Sequence, residues 1–434
     1  MPYRAHDTGV VSPQQGKDMT QSPADNPTPA NGGPLEGLRV LDLSIIVAGG
    51  TASSLMADFG ADVVKVERPG AGDPLRNWGP FYNGVSLWWK VHSRNKRSIT
   101  LNMADSSGQD LLKRLASQAD VLIEGFRPGT LERWGLGPSD LHDPSVNPGL
   151  VILRFSGFGQ TGPYKDRPGF GTIAECMSGY IGMTGFPDTP PNLPPVPLAD
   201  EIAGVFGAMA GMMAIYRRDA DRRNGLPGAG QVVDLSLFEP LFRLCIPHLT
   251  IYDRLGEIRE RIGNDFPDAA PRSLYRTEDD RWLGLSATSQ NTWEGLARAM
   301  GFDELLDDPR FANNAARLDN KDALNEILQS WLGSRPTSAI MDELIPAGGV
   351  VGPVYSSADI IADPHYQQRD DIVEIDDPEI GHTRMLGLVP KFSETPGALR
   401  HMGPTVGEHN ATVYGDWLGL YPDQLTKLSD NGII

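Results

Sequence analysis

From Leu35 onward, short apolar runs alternate with helix-forming stretches. The runs are Leu38–Leu43, Asp62–Glu67, Ser98–Asn102, Asp120–Glu124 and Val151–Phe155. Thr51–Phe59 and Ser107–Gln118 separate some of them, and the second places Leu111, Leu112 and Leu115 on one helical face. Apolar strands joined by such helices predict an α/β fold with a parallel sheet covered on both sides. After Pro163 the chain turns looplike, ending in the proline-rich Phe186–Pro197, and a helix is expected from about Asp200 to Arg218. Its Gly204, Gly207, Ala208, Gly211 and Ala214 admit a closely packed neighbour. Arg272–Thr277 and Arg281–Ala287 flank a turn at Glu278–Asp280 and predict a hairpin. Helices near Asn291–Met300, Asn320–Trp331 and Thr337–Ile345 then complete a smaller α+β domain. Gly381–Phe392 restores strand character.

Composition narrows the function classes. The chain has 434 residues, and 38 Lys+Arg against 56 Asp+Glu give a formal net charge of −18. That balance disfavours a general nucleic-acid binder, which needs a basic surface. Cys176 and Cys245 cannot build a disulfide framework, and no Cys/His cluster has zinc spacing, so no metal site is expected. The small-apolar run Ile202–Tyr216 is too short to span a bilayer. Residues 1–34, rich in Pro, Asn, Asp and Gly, carry little apolar surface and are expected to be disordered. They lack the pattern of a secretory signal, which makes the cytoplasm the expected compartment.

Several residues are candidates for chemistry. The loop Val47–Ala52 follows a strand and opens a helix but lacks G-x-G-x-x-G, so a conventional dinucleotide site is not indicated. Glu67 ends the second strand, where an acid can hold a ribose hydroxyl. Arg68, Arg127 and Arg133, with the loop Ser93–Ser98 in support, fall near strand ends and suit a phosphorylated ligand. Asp200, between the proline-rich loop and the Ala/Gly helix, reads as an N-cap whose ionised form the helix favours, or as a covalent nucleophile. Ser156 lacks the G-x-S-x-G context of a hydrolase elbow, Cys176 reads as a buried small hydrophobe, and the histidines form no metal-binding pattern.

Taken in order, these segments resemble family III CoA-transferases, the group that includes formyl-CoA and carnitine CoA-transferases and α-methylacyl-CoA racemase. The resemblance is carried by Pro34–Ser44 (PLEGLRVLDLS), Phe59–Arg76 (FGADVVKVERPGAGDPLR), Asn95–Met103 (NKRSITLNM), Phe126–Gly137 (FRPGTLERWGLG) and Ser156–Phe170 (SGFGQTGPYKDRPGF). The P-P-x₅-L-A-D ending at Asp200, GEHN at Gly407–Asn410 and the closing LSDNGII extend it from about Pro34 to Ile434.

The resemblance implies a Rossmann-like large domain, a smaller α+β domain from the middle of the chain, and an interlocked dimer. The expected boundaries are a large domain over 35–230, a linker over 231–256, a small domain over 257–345, a linker over 346–374 and a return to the large domain over 375–434. Asp200 falls on the family's catalytic aspartate, expected to move CoA from an acyl-CoA donor to a free carboxylic acid through aspartyl intermediates. For CoA the resemblance points to Val47, Ala48, Arg68, Leu101, Asn102, Gly125, Phe126, Arg127 and Arg133. Ala104 and Gly125 depart from the basic residue and the Asn common there. No permanently bound cofactor is implied; acyl-CoA and a small carboxylic acid are substrates, and the partner is a second copy or a homologous subunit. The rival within the family is Cα racemisation, whose second acid/base is a His where this chain has Phe170. A non-catalytic CoA-binding subunit is the rival outside catalysis.

Overall fold

The computed structural model describes residues 32–434; the expectation of disorder over 1–34 lies almost wholly outside the described residues. The main sheet is built from β1 (Arg39–Asp42), β2 (Asp62–Glu67), β3 (Arg97–Thr100), β4 (Val121–Glu124), β5 (Val151–Ser156) and β6 (Val232–Ser236). The order is β3-β2-β1-β4-β5-β6, all pairs parallel. This is the α/β class expected from the pattern. The strands read as continuous apolar runs because both faces are covered. Leu41, Val64, Val66, Ile99 and Leu122 pack on one side with α2 (Ser106–Ala116). Val40, Val63, Val121, Ile123, Val151 and Leu153 pack on the other with α1 (Ala48–Asp58) and α4 (Leu198–Arg223). Alternate residues of one strand thus feed two cores.

Helix α4 is 26 residues long, longer than its apolar run suggests, and by length and composition alone it passes as a membrane span. Here one side of it packs on α1. A Cβ on Gly204 would stand 2.7 Å from the Ala48 carbonyl oxygen, so the close approach requires glycine. The preceding short helix α3 (Gly171–Met177) also packs on α4. Cys176 on α3 is exposed, a correction to its reading as a buried hydrophobe: its neighbours Ala174 and Glu175 occupy the inward face.

Two expected linkers carry structure. The stretch 231–256 contains β6, the sixth strand of the main sheet, followed by α5 (Phe238–Leu244) and α6 (His248–Leu255). β6 escaped the pattern because its outer half is exposed and only Leu235 and Ser236 are buried. The stretch 346–374 contains a strand of the small antiparallel sheet, which is formed by β7 (Arg272–Arg276), β8 (Trp282–Ser286) and β9 (Val351–Pro353) in the order β9-β8-β7. Its core gathers Tyr275, Leu283, Trp293, Phe311, Leu324 and Leu328. The chain then forms the hairpin β10 (Ile372–Asp377) and β11 (Gly381–Leu386). It returns to the main sheet: Tyr414 donates to the Thr100 carbonyl at 2.8 Å, and Asn102 N–H donates to the Ile433 carbonyl at 2.7 Å.

Candidate active site

The strand order reverses direction between β1 and β4, and parallel sheets open a crevice beyond the carboxyl ends at such a point. Two cavities meet there, of ≈ 650 Å³ and ≈ 590 Å³, with Ile45 in the wall of both. Val47, Ala48, Gly125 and Asp200 line the first; Arg68, Leu101, Asn102 and Phe126 line the second.

The wall between them is the loop after β1, and buried charge holds it. Asp42 accepts from Ser44 N–H at 2.9 Å and from the Ser44 and Ser53 hydroxyls. Lys65 donates to the Ser44 carbonyl and pairs with Asp73 at 3.0 Å, while Asp73 accepts from Ile46 N–H at 3.2 Å. Lys96 donates to the Gly50 carbonyl at 2.8 Å. Opposite charges in a dry setting stabilise one another, but each costs desolvation. Burial and the neighbouring Lys65 charge bring Lys96 down to about 8, with Asp42 opposing the fall. Ile46 sits at φ 65°, a left-handed conformation costly for a β-branched residue, so the network holds a strained loop. α1 starts directly after it with no side-chain cap and no acid in its first turn, leaving first-turn amides to face the cavity mouth.

Asp200 is the third residue of α4, not its N-cap; Pro197 takes that position and offers no side-chain cap of its own. Its carboxyl is pushed up to about 7, by burial first and then by the charges of Glu175 and Glu201. The helix terminus is expected to favour the ionised form of Asp200, but desolvation and two acidic neighbours outweigh the dipole. Glu175, 3% exposed, lines the same cavity and accepts from Ala199 N–H at 3.3 Å. Glu201 accepts from the Thr51 hydroxyl at 2.8 Å, and that hydroxyl also meets His92 Nε2 at 3.0 Å. Burial, then the Lys96 charge, takes His92 down to about 3, so it is a neutral partner. Gly171 and Glu175 went unnoticed in the sequence, and Ser156, considered there only as a hydrolase serine, lines the same cavity. Ser156 Oγ is buried with no partner among the described residues.

In the second cavity Phe126 and Trp134 pack edge-to-face at 5.5 Å, an apolar bed beside exposed Arg68. Glu67 is not free to hold a ribose. Arg76 grips it with two contacts of 2.7 Å, and Ser98 and Asp73 N–H fill its remaining positions. The Ser93–Ser98 loop is no phosphate patch either: Arg94 pairs with Asp58 at 2.7 Å, Arg97 with Asp62 at 2.6 Å, and Lys96 belongs to the buried network. Arg68, Arg127 and Arg133 make no ion pair among the described residues; Arg133 donates to Thr130 Oγ1 at 2.9 Å. Arg127 and Arg133 line neither cavity but are exposed beyond the end of β4, Arg133 beside Trp134. Among the described residues no cluster of His, Cys, Asp and Glu is placed to hold a metal.

The profile of CoA-transferase family III matches residues 35–410. The chain belongs to that family. It is a CoA-transferase, and its relatives use CoA thioesters as substrates. It is 41% identical to a succinyl-CoA–D-citramalate CoA-transferase of Chloroflexus aurantiacus, over 92% of this chain and 98% of the relative. A formyl-CoA:oxalate CoA-transferase of Streptomyces avermitilis is 32% identical over 92% of this chain and 99% of the relative. Among solved structures, a CaiB/BaiF family protein from Brucella suis superposes with a TM-score of 0.76 at 32% identity, over 89% of this chain and 100% of the other.

Proposed function

We propose that Asp200 is the covalent nucleophile of the transfer. Its carboxylate attacks the thioester carbonyl of an acyl-CoA; the C–S bond breaks, giving a mixed anhydride and CoA thiolate. The thiolate attacks the aspartyl carbonyl, releases the donor acid as a carboxylate and leaves an aspartyl-CoA thioester. The acceptor carboxylate attacks that thioester, and the returning thiolate takes the acceptor's acyl group, restoring Asp200. Each step exchanges one acyl carboxylate or thiolate for another and needs neither metal nor ATP. The observation that carries this reading is the placement of the Asp200 carboxyl, its basicity raised by burial, in the cavity that meets the crevice lined by Arg68 and Phe126. First-turn amides of α1 are suited to stabilise the developing oxyanion.

In this reading Arg68, Arg127 and Arg133 receive the phosphates of CoA, Phe126 with Leu101 and Asn102 borders its adenosine end, and Val47, Ala48 and Gly125 flank the thiol arm. Relatives named for D-citramalate, L-malate, oxalate and glutarate support a small organic acid as acceptor, with succinyl-CoA the first donor to try. Racemisation is disfavoured because Phe170, 68% exposed in the same cavity, cannot carry a proton. A dimer is supported by the apolar stripe Val205, Met209, Met213 and Tyr216, which α4 leaves exposed, and by similarly exposed Leu249, Tyr252 and Leu255 on α6. The domain limits follow with the linkers shortened to exclude β6 and β9. The test is exchange of CoA between acyl-CoA and free acids by Asp200→Asn, which must abolish it.

A further inference from the structure

We propose that Glu175 is a positioning residue for Asp200, holding a negative charge beside the nucleophile that is relieved each time Asp200 becomes an acyl derivative. The inference rests on Asp200 being the nucleophile. Gly171, Thr172 and Glu175 occupy one face of α3 and line the cavity with Asp200. Glu175 and Asp200 are the carboxyl groups in that lining, and Glu175 is almost fully buried. α4 has no side-chain cap of its own; Glu175 supplies one from outside through Ala199 N–H, one residue before Asp200. The bond fixes where the second carboxylate stands. The other groups facing Asp200 leave that charge uncompensated. Glu201, on the same helix, is acidic too and is bound to Thr51; His92 behind Thr51 is neutral; Lys96 is committed to Asp42 and Gly50.

Two carboxylates in one partly dry site repel each other, and an anhydride or thioester on Asp200 carries no charge. Forming either intermediate removes the repulsion. Glu175 therefore raises the basicity of the attacking carboxylate and favours the covalent forms over free enzyme. A residue that only stabilised the fold would do neither.

Glu175→Gln retains the shape and the acceptor for Ala199 N–H while removing the charge. The acid limb of kcat/KM for acyl-CoA, which reports free enzyme, should move to lower pH by about one unit. The fraction of enzyme found as aspartyl-CoA thioester by intact-mass analysis, after incubation with acyl-CoA alone, should fall several-fold. Glu175→Met, also neutral, should shift the limb the same way, and Glu175→Asp, which restores charge, should return it toward wild type. An unmoved acid limb and an unchanged covalent fraction in the neutral variants overturn the proposal. Activity surviving in Asp200→Asn would instead defeat the nucleophile reading itself, whatever Glu175→Gln shows.

Discussion

A Cβ on Gly171 would overlap Oδ2 of Asp200, so the first residue of α3 and the nucleophile of α4 share one space. The obstructed atoms are the tip of a rotatable side chain, not backbone. Gly171→Ala should therefore fold, with Asp200 turned out of its working rotamer. The expected outcome is a loss of about 10²-fold in kcat with a thermal midpoint close to wild type, read from steady-state kinetics and a melting curve on one preparation.

The raised basicity of Asp200 predicts opposite pH effects on activity and stability. Protonation below about 7 removes the nucleophile, so kcat/KM falls on the acid side. For stability, the folded carboxyl holds its proton up to about 7, whereas an ordinary one loses it near 3.8. Between these values the folded state binds more protons, and this group's contribution to stability is lost as pH rises. Asp200→Asn should melt higher than wild type, and by a larger margin at pH 8 than at pH 5, in parallel thermal scans.

Unpaired and paired arginines should behave differently. Arg68→Ala removes a cation with no carboxylate partner among the described residues, and should raise KM for acyl-CoA about 10-fold at unchanged stability. The effect should shrink as salt is added. Arg97→Ala breaks the pair with Asp62 and should lower the melting temperature while leaving that KM in place.

Ile46 offers a separation of strain from function. Glycine tolerates φ 65° where isoleucine does not, so Ile46→Gly should gain about 1 kcal/mol from relieved strain, less what the lost side chain contributed. It also frees the loop that walls both cavities, and kcat/KM should drop about 10-fold. Kinetics and chemical denaturation on the same variant check both signs.

The apolar runs of β1 to β5 were readable because both faces of those strands are buried, whereas β6 is half-exposed and β9 is only three residues long and partly buried throughout. Asp200 was found by its motif, but its neighbours were not: Glu175 and Gly171 reach it only because α3 folds back on α4. The basic Ser93–Ser98 loop and Glu67 misled for the same reason. Their partners Asp58, Asp62 and Arg76 lie across the fold or around a turn, and local sequence does not show which charges are already satisfied. The net charge of −18 bears on long nucleic acids, but binding of one compact anion depends on whether Arg68, Arg127 and Arg133 stay unpaired.

The most direct test of the account is peptide mapping of the protein after incubation with succinyl-CoA in the absence of acceptor acid. The expected result is a CoA thioester on the peptide containing Asp200, missing from Asp200→Asn together with all CoA exchange. An adduct on another residue, or exchange by Asp200→Asn at the wild-type rate, would contradict it.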